Sequence, residues 1–128
     1  ELIDTPNGPK AIEDIRTGDV VTGYDGGDVP VMQKHEYKED PEAIRFYRFT
    51  FDDETSLSVC DMHRIEGDRA MTHSDGGIVG GKTIQNVEIY GGVSRSYDLL
   101  TTDAGYRMSG VPVNSMIEEL VQVALEIS

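Results

Sequence analysis

The sequence has no tryptophan, one cysteine, 5 prolines, and 11 basic residues against 24 acidic ones in 128 residues. Each shortage removes a class of protein. A lone cysteine, Cys60, cannot close an internal disulfide, so the fold must rest on an apolar core. Its thiol is either a small buried apolar group or a reactive one, and the compartment stays open. The formal charge of -13 repels polyphosphate, which argues against nonspecific nucleic-acid binding and leaves solubility as the plain consequence. No run of about 18 apolar residues occurs, so no membrane-spanning helix is expected. No basic segment followed by an apolar stretch opens the chain as a secretory signal would, and Glu1 stands directly against a strand-like segment, as in a piece cut from a longer polypeptide.

What is present is a chain of single-domain length, 38% hydrophobic and, with 14 glycines, rich in turns. Leu2 to Thr5 reads as a short strand and Pro6-Asn7-Gly8-Pro9 as a tight turn, since Asn-Gly supplies the positive φ that such turns need. Ala11, Ile12 and Ile15 suit one helical turn with an apolar face, ended by Gly18-Asp19. Strands follow at Val20–Tyr24 and, after Asp25-Gly26-Gly27-Asp28, from Val29 to about Tyr37. A charged loop at Lys38–Glu42 precedes a strand over Ile44–Phe51, whose Tyr47, Phe49 and Phe51 fall on one core-facing side. Asp52–Thr55 is a hairpin turn, and Ser56–Cys60 returns with Leu57 and Val59 inward and Ser56 and Ser58 outward. Further strands are expected at Arg69–Thr72, Lys82–Tyr90, Val93–Thr102 and Tyr106–Met108, between repeated glycine turns. Many short strands at this spacing predict an all-β fold.

The last element differs. Ser115-Met116-Ile117-Glu118 has the form of a capping box, in which hydroxyl and carboxylate satisfy first-turn amides. Met116, Ile117, Leu120, Val121, Ala124 and Ile127 then recur at helical spacing. The expectation is a β domain over 1–114 and an amphipathic helix over 115–128, docked on its own domain or on a protein partner.

Three segments carry chemistry and occur in a telling order: Leu2-Ile3-Asp4-Thr5 running on to Gly18-Asp19, then Ser56-Leu57-Ser58-Val59-Cys60-Asp61-Met62-His63, then Ser96-Tyr97-Asp98-Leu99 leading to Gly110-Val111-Pro112-Val113-Asn114-Ser115. Together they resemble the hedgehog/intein (Hint) family of self-processing domains over nearly the whole chain. The resemblance implies a horseshoe of antiparallel strands that brings the chain ends together beside a buried pocket. It also implies that the substrate is the flanking polypeptide itself, with no cofactor. In that family a Cys or Ser opening the domain attacks the preceding carbonyl while a Thr-x-x-His element polarises the peptide. An amide is a poor electrophile, so its oxyanion must be stabilised and its leaving nitrogen protonated.

On this chain the resemblance puts Cys60 in the Thr place and His63 in the His place, and an imidazole suits the proton step because its ordinary pKa lies near neutrality. By residue type alone, His63 is equally a hydrogen-bonded histidine capping a strand end. Asp98 matches the family's Tyr-Asp-Leu carboxylate, a general acid/base, although an aspartate within a strand can also be simply exposed.

The chain departs from an active intein at three places. The family closes on Val-His-Asn, and alignment on Gly110 gives Asn114 in the His place and Ser115 in the Asn place, where a serine cannot form a succinimide. A register slip of one would let Asn114 serve, but Val113 would precede it and no imidazole would assist. A second family histidine is expected between Asp98 and Gly110, where the chain has Ala104 and Gly105. The opening nucleophile is not in this sequence: it lies upstream of Glu1 or has been lost. Full splicing is therefore not expected, and N-terminal thioester or ester formation followed by hydrolysis is the family reaction left open. The other reading is a catalytically degenerate Hint fold kept as a structural or interaction module of a larger phage or secreted multidomain protein.

Metal binding has little behind it. Cys60, His63 and His73 lack a second paired motif and His35 falls on another strand, while the acidic turns at Asp25–Asp28, Asp52–Glu54 and Asp75–Gly77 lack the spacing of a calcium loop.

Overall fold

The computed structural model describes residues 2–38, 42, 45–92 and 95–116. β1 (Leu2–Ile3) pairs with β2 (Lys10–Ala11) across a turn in which Gly8 takes φ 105° and accepts the Thr5 hydroxyl at 2.5 Å. A 3-10 turn at Ile12–Asp14 follows and buries Ile12 and Ile15, the expected single turn with one face down. β3 (Val20–Thr22) and β4 (Asp28–Lys38) form a hairpin over the Asp25–Gly27 turn. β5 (Phe46–Phe51) and β6 (Ser56–Cys60) form the next, with Phe49 opposite Leu57. Then come the short β7 (Arg64–Ile65) and β8 (Asp68–Arg69), a 3-10 turn at Ala70–Thr72, β9 (Ile78–Val79) and the long β10 (Lys82–Tyr90). β11 (Arg95–Thr101), β12 (Gly105–Met108) and β13 (Val111–Asn114) complete the described chain.

The fold is all-β, as the strand spacing predicts, and its long-range pairings are nested. β4 pairs antiparallel with β11 from Lys38–Arg95 to Val31–Thr101, and β5 pairs antiparallel with β10 from Phe46–Tyr90 to Phe51–Ile84, each with one register shift. Because the outer pair encloses the inner pair in sequence, the chain that enters through β1 and the chain that leaves through β12 and β13 meet. The Asp4 N–H donates to the Arg107 carbonyl at 2.9 Å, and Thr22 N–H to the Asp4 carbonyl at 2.8 Å. The sheets run β6-β5-β10-β9, β11-β4-β3 and β12-β13-β7-β8, with β1-β2 alongside. Curled around one core, they bury Ile3, Val21, Phe49, Phe51, Leu99 and Val113 almost completely. Burial of side chains of this size stabilises by about 1.5–3 kcal/mol each and is the main force holding the curl. Among the described residues no helix is long and apolar enough to cross a membrane.

Three expectations need correction. The strand expected over Arg69–Thr72 ends at Arg69. Ala70 is fully buried, and the Thr72 hydroxyl donates back to the Arg69 carbonyl at 2.7 Å, which favours a tight turn over an extended one. Ser58 is buried at 7% exposure, because its cross-strand neighbour Arg48 reaches over it and donates from Nε to the Ser58 hydroxyl at 3.3 Å. Phe46 is buried as well as Phe49 and Phe51, so β5 has both faces covered at its first residue. The helix expected over 115–128 falls, beyond Met116, outside the described residues.

Candidate active site

Cys60-Asp61-Met62-His63 is a tight turn at the end of β6, closed by the His63 N–H donating to the Cys60 carbonyl at 3.1 Å. It is pinned from both sides: Asp61 donates to the Arg45 carbonyl at 3.0 Å, and the carbonyls of Asp61 and His63 accept from Met71 and Ala70 at 3.1 and 2.8 Å. The reversal turns the Cys60 and His63 side chains into one cavity of about 130 Å³. Phe46, Tyr37 and Met108 line it as well, together with Asp98 and Tyr106.

His63 is buried, at 5% exposure, and its Nε2 lies 2.8 Å from the carbonyl oxygen of Asn114. A carbonyl can only accept, so Nε2 carries the proton and donates it. Asp98 is at 1% exposure in the middle of β11. Both it and Leu99 are buried because β11 is covered on two faces: Leu99 enters the core and Asp98 the cavity. The Tyr106 hydroxyl donates to Asp98 Oδ1 at 3.0 Å, and the Tyr106 ring meets the His63 ring edge-on at 6.4 Å between centroids.

The closing residues lie outside the cavity lining, and Asn114 meets the imidazole through its main-chain carbonyl. The Asn114 side-chain Oδ1 accepts the Gly67 N–H at 2.8 Å. Burial, reinforced by the Glu66 carboxylate, pushes the Tyr24 phenol above its ordinary range, and the nearby Asn114 side chain works the other way. Ser115 is buried and does not line the cavity: its hydroxyl donates to the Leu99 carbonyl at 2.6 Å and its N–H to the Ala104 carbonyl at 3.0 Å.

Of the residues singled out in the sequence, the fold thus brings Cys60, His63 and Asp98 to one cavity. It sets Asn114 against His63 through its main chain and turns Ser115 toward Leu99. His73 lies elsewhere, its Nε2 facing the carbonyls of Ile65 and Asp68 at 3.2 and 3.3 Å. Among the described residues no group of three or more His, Cys, Asp or Glu side chains is placed to hold a metal ion.

Two features were not singled out. The residue pattern marks Tyr106 only as a strand residue. Its signal is the short connection between β11 and β12 around Asp103, which brings residue 106 back toward residue 98 although the two strands belong to different sheets. The second is the bond from His63 to the Asn114 carbonyl, which has no signature in residue type. Where a second histidine was expected, Gly105 has no room for any side chain: a Cβ there would stand 1.9 Å from the Val113 carbonyl oxygen.

No family model matches the sequence, and no curated protein matches it. Solved structures do match. The MchDnaB-1 intein, in its N145AA form, superposes with a TM-score of 0.71 at 18% identity over 89% of this chain and 95% of its own. A bacterial intein-like domain from Clostridium thermocellum gives 0.72 at 14% identity over 89% and 93%. A consensus engineered intein with an atypical split site gives 0.63 at 18% identity over 88% and 87%. The likeness shows the fold, and it covers nearly the full length on both sides.

Proposed function

We propose that this chain, which has the hedgehog/intein (Hint) fold, is a self-processing module that acts on a peptide bond of its own polypeptide. One observation carries the reading: a buried imidazole donates its Nε2–H to a main-chain carbonyl at 2.8 Å, and that carbonyl belongs to the Asn114–Ser115 peptide. A donor aimed at a carbonyl oxygen at this distance stabilises the negative charge that develops there when the carbon is attacked. The one-residue register that lacked an imidazole in the sequence acquires one from His63.

The nucleophile at that bond is the Asn114 side-chain amide. Nδ2 attacks the carbonyl carbon of its own residue and forms a five-membered imide; the Asn114–Ser115 C–N bond breaks, and the proton lost from Nδ2 ends on the freed Ser115 amine. No water is consumed. Gly67 N–H draws electron density toward Oδ1, which favours loss of the Nδ2 proton, and the Ala104 carbonyl fixes the leaving nitrogen through its N–H. Asp98 is the buried carboxylate available to handle protons. The same imidazole would serve an entering peptide bond attacked by a Cys or Ser upstream of Glu1, with Cys60 lining the pocket, to give a thioester or ester that water hydrolyses.

The test is a chain carrying a distinct folded flank at each end. Release of the C-terminal flank with a new Ser115 amino terminus, and an Asn114 end one water lighter than the acid, is the expected result. His63→Ala and Asn114→Ala should each abolish it. Release of the N-terminal flank instead, accelerated by thiol, assigns the reaction to the entering bond. A chain that stays intact at both ends removes the activity.

A second reading is favoured by the tethering of the Ser115 hydroxyl to Leu99 and of Asn114 Oδ1 to Gly67. Those bonds would fix the closing strand of a catalytically degenerate Hint fold that serves as a structural or interaction module, with the 115–128 segment as its contact to a protein partner. Intact flanks together with binding lost on removal of that segment would support it.

A further inference from the structure

We infer that Tyr106 is a positioning residue of this cavity: its hydroxyl holds the Asp98 carboxylate and its ring backs the His63 imidazole, so that one side chain sets the geometry of both. The inference rests on the self-processing reading for its use, though its geometry stands apart from it. Tyr106 and Asp98 are each at 1% exposure, and their oxygens are 3.0 Å apart. A buried carboxylate depends on the donors around it, because desolvation disfavours its charge. Among the described residues lining the cavity there is no lysine or arginine. The titratable and polar groups that line the cavity with Asp98 are Tyr37 from β4, Cys60 and His63 from the end of β6, Tyr106 from β12, and Ser96 and Tyr97 on its own strand, and its register partner on β4 is the exposed His35.

The phenol is also held from behind. β12 pairs Tyr106 with Val113 and bridges it to Gly23, so its backbone is fixed on two sides. The 88° angle between the Tyr106 and His63 rings sets the ring edge-on to the imidazole, the geometry aromatic pairs prefer, and this restrains the ring whose Nε2–H must point at Asn114. At the positions where a further histidine was expected, Ala104 is exposed and Gly105 has no space. The phenol is therefore the proton-bearing group that β12 brings to the carboxylate.

Tyr106→Phe keeps the ring and removes one oxygen. In the full chain, carboxyl-carbon NMR of Asp98 should show its titration midpoint rise by about one pH unit in this variant, since the ionised form loses a hydrogen bond. The His63 Nε2–H resonance should persist. In the chain with flanks, the acid limb of the cleavage rate should move up by the same amount. An unchanged Asp98 midpoint in a folded Tyr106→Phe protein overturns the inference. Should that variant not fold, Asp98→Asn provides the reciprocal reading: the Tyr106 phenol should titrate at lower pH once its charged acceptor is gone, and an unchanged phenol overturns the inference equally. If the parent chain does not cleave at all, the self-processing reading fails, while the two titrations still decide the role of Tyr106.

Discussion

Asp4, just after the first strand, accepts the main-chain N–H of Gly110 on its Oδ2 at 2.7 Å, and so ties the entering chain to the last hairpin. That hairpin turns through Ser109 and Gly110 at φ 51° and 76°, the doubly left-handed turn that suits the twist of the strands it joins. A donor at the tip of such a turn has no ladder partner, and Asp4 supplies one. Asp4→Ala should lower stability by about 1–2 kcal/mol, read as an earlier urea midpoint, with Asp4→Asn losing less because its amide oxygen still accepts. Equal midpoints for Asp4→Ala and the parent would mean that the two ends are not joined through this bond.

Gly105 is demanded by space and not by backbone angle. A methyl group on it would stand 1.9 Å from the Val113 carbonyl oxygen and 3.0 Å from the Asn114 Cα, so β12 and β13 would have to part. Gly105 is the register partner of Asn114, hence the strain arrives at the carbonyl that His63 holds. Gly105→Ala should cost about 1–3 kcal/mol or more and should slow self-cleavage beyond what the lost stability explains, measured by calorimetry beside a cleavage time course.

What could be read from the sequence, and what could not, follows from where each signal lives. β10 matches the expected Lys82–Tyr90 because nine residues of strand pattern bounded by glycine turns are a local signal. The β5–β6 hairpin is legible for the same reason. The two-residue strands β7, β8 and β9 are not, since a pair of residues has no periodicity and becomes a strand only through partners supplied by the fold, as Ile65 does opposite Val113. Ser58 looked outward-facing because alternation does not register a long arginine lying across it. At the site, His63 and Asp98 stand in motifs that survive in order along the chain. Tyr106 enters the site only by its distance to a residue on the preceding strand, and the His63–Asn114 bond joins a side chain to a main chain, which no pattern of residue types encodes.

Asp53 predicts an acid-sensitive element at the β5–β6 turn. Lys82 Nζ lies 2.7 Å from its Oδ2, and Thr55 donates to its Oδ1 from both hydroxyl and main chain, so its carboxyl is lowered from 3.8 to about 2, chiefly by the lysine and then by Thr55. With the folded value below the unfolded one, the unfolded chain binds more protons between the two. The stabilisation is therefore complete above pH 3.8 and is lost as pH falls through about 2. The group is exposed, so the effect should shrink in high salt. Thermal midpoints of the parent should drop more steeply through this window than those of Asp53→Asn, and parallel curves would show that the ion pair is not formed in solution.

His63 allows catalysis and structure to be separated. Its imidazole satisfies the Asn114 carbonyl, so His63→Ala removes a hydrogen bond and leaves space in the cavity wall, an expected loss of about 1–3 kcal/mol in urea denaturation. His63→Gln restores an N–H of similar reach and should recover part of that stability. Since the role of His63 in the proposed reaction is to donate its Nε2–H to the developing oxyanion while Asp98 handles protons, His63→Gln should also recover part of the cleavage rate that His63→Ala loses. If His63→Gln regains stability yet cleaves as slowly as His63→Ala, the ring also moves a proton, which an amide cannot do near neutrality, and the division of roles between His63 and Asp98 is wrong. If His63→Ala is as stable as the parent, the bond to Asn114 is not made in solution, and the self-processing reading loses the observation it stands on.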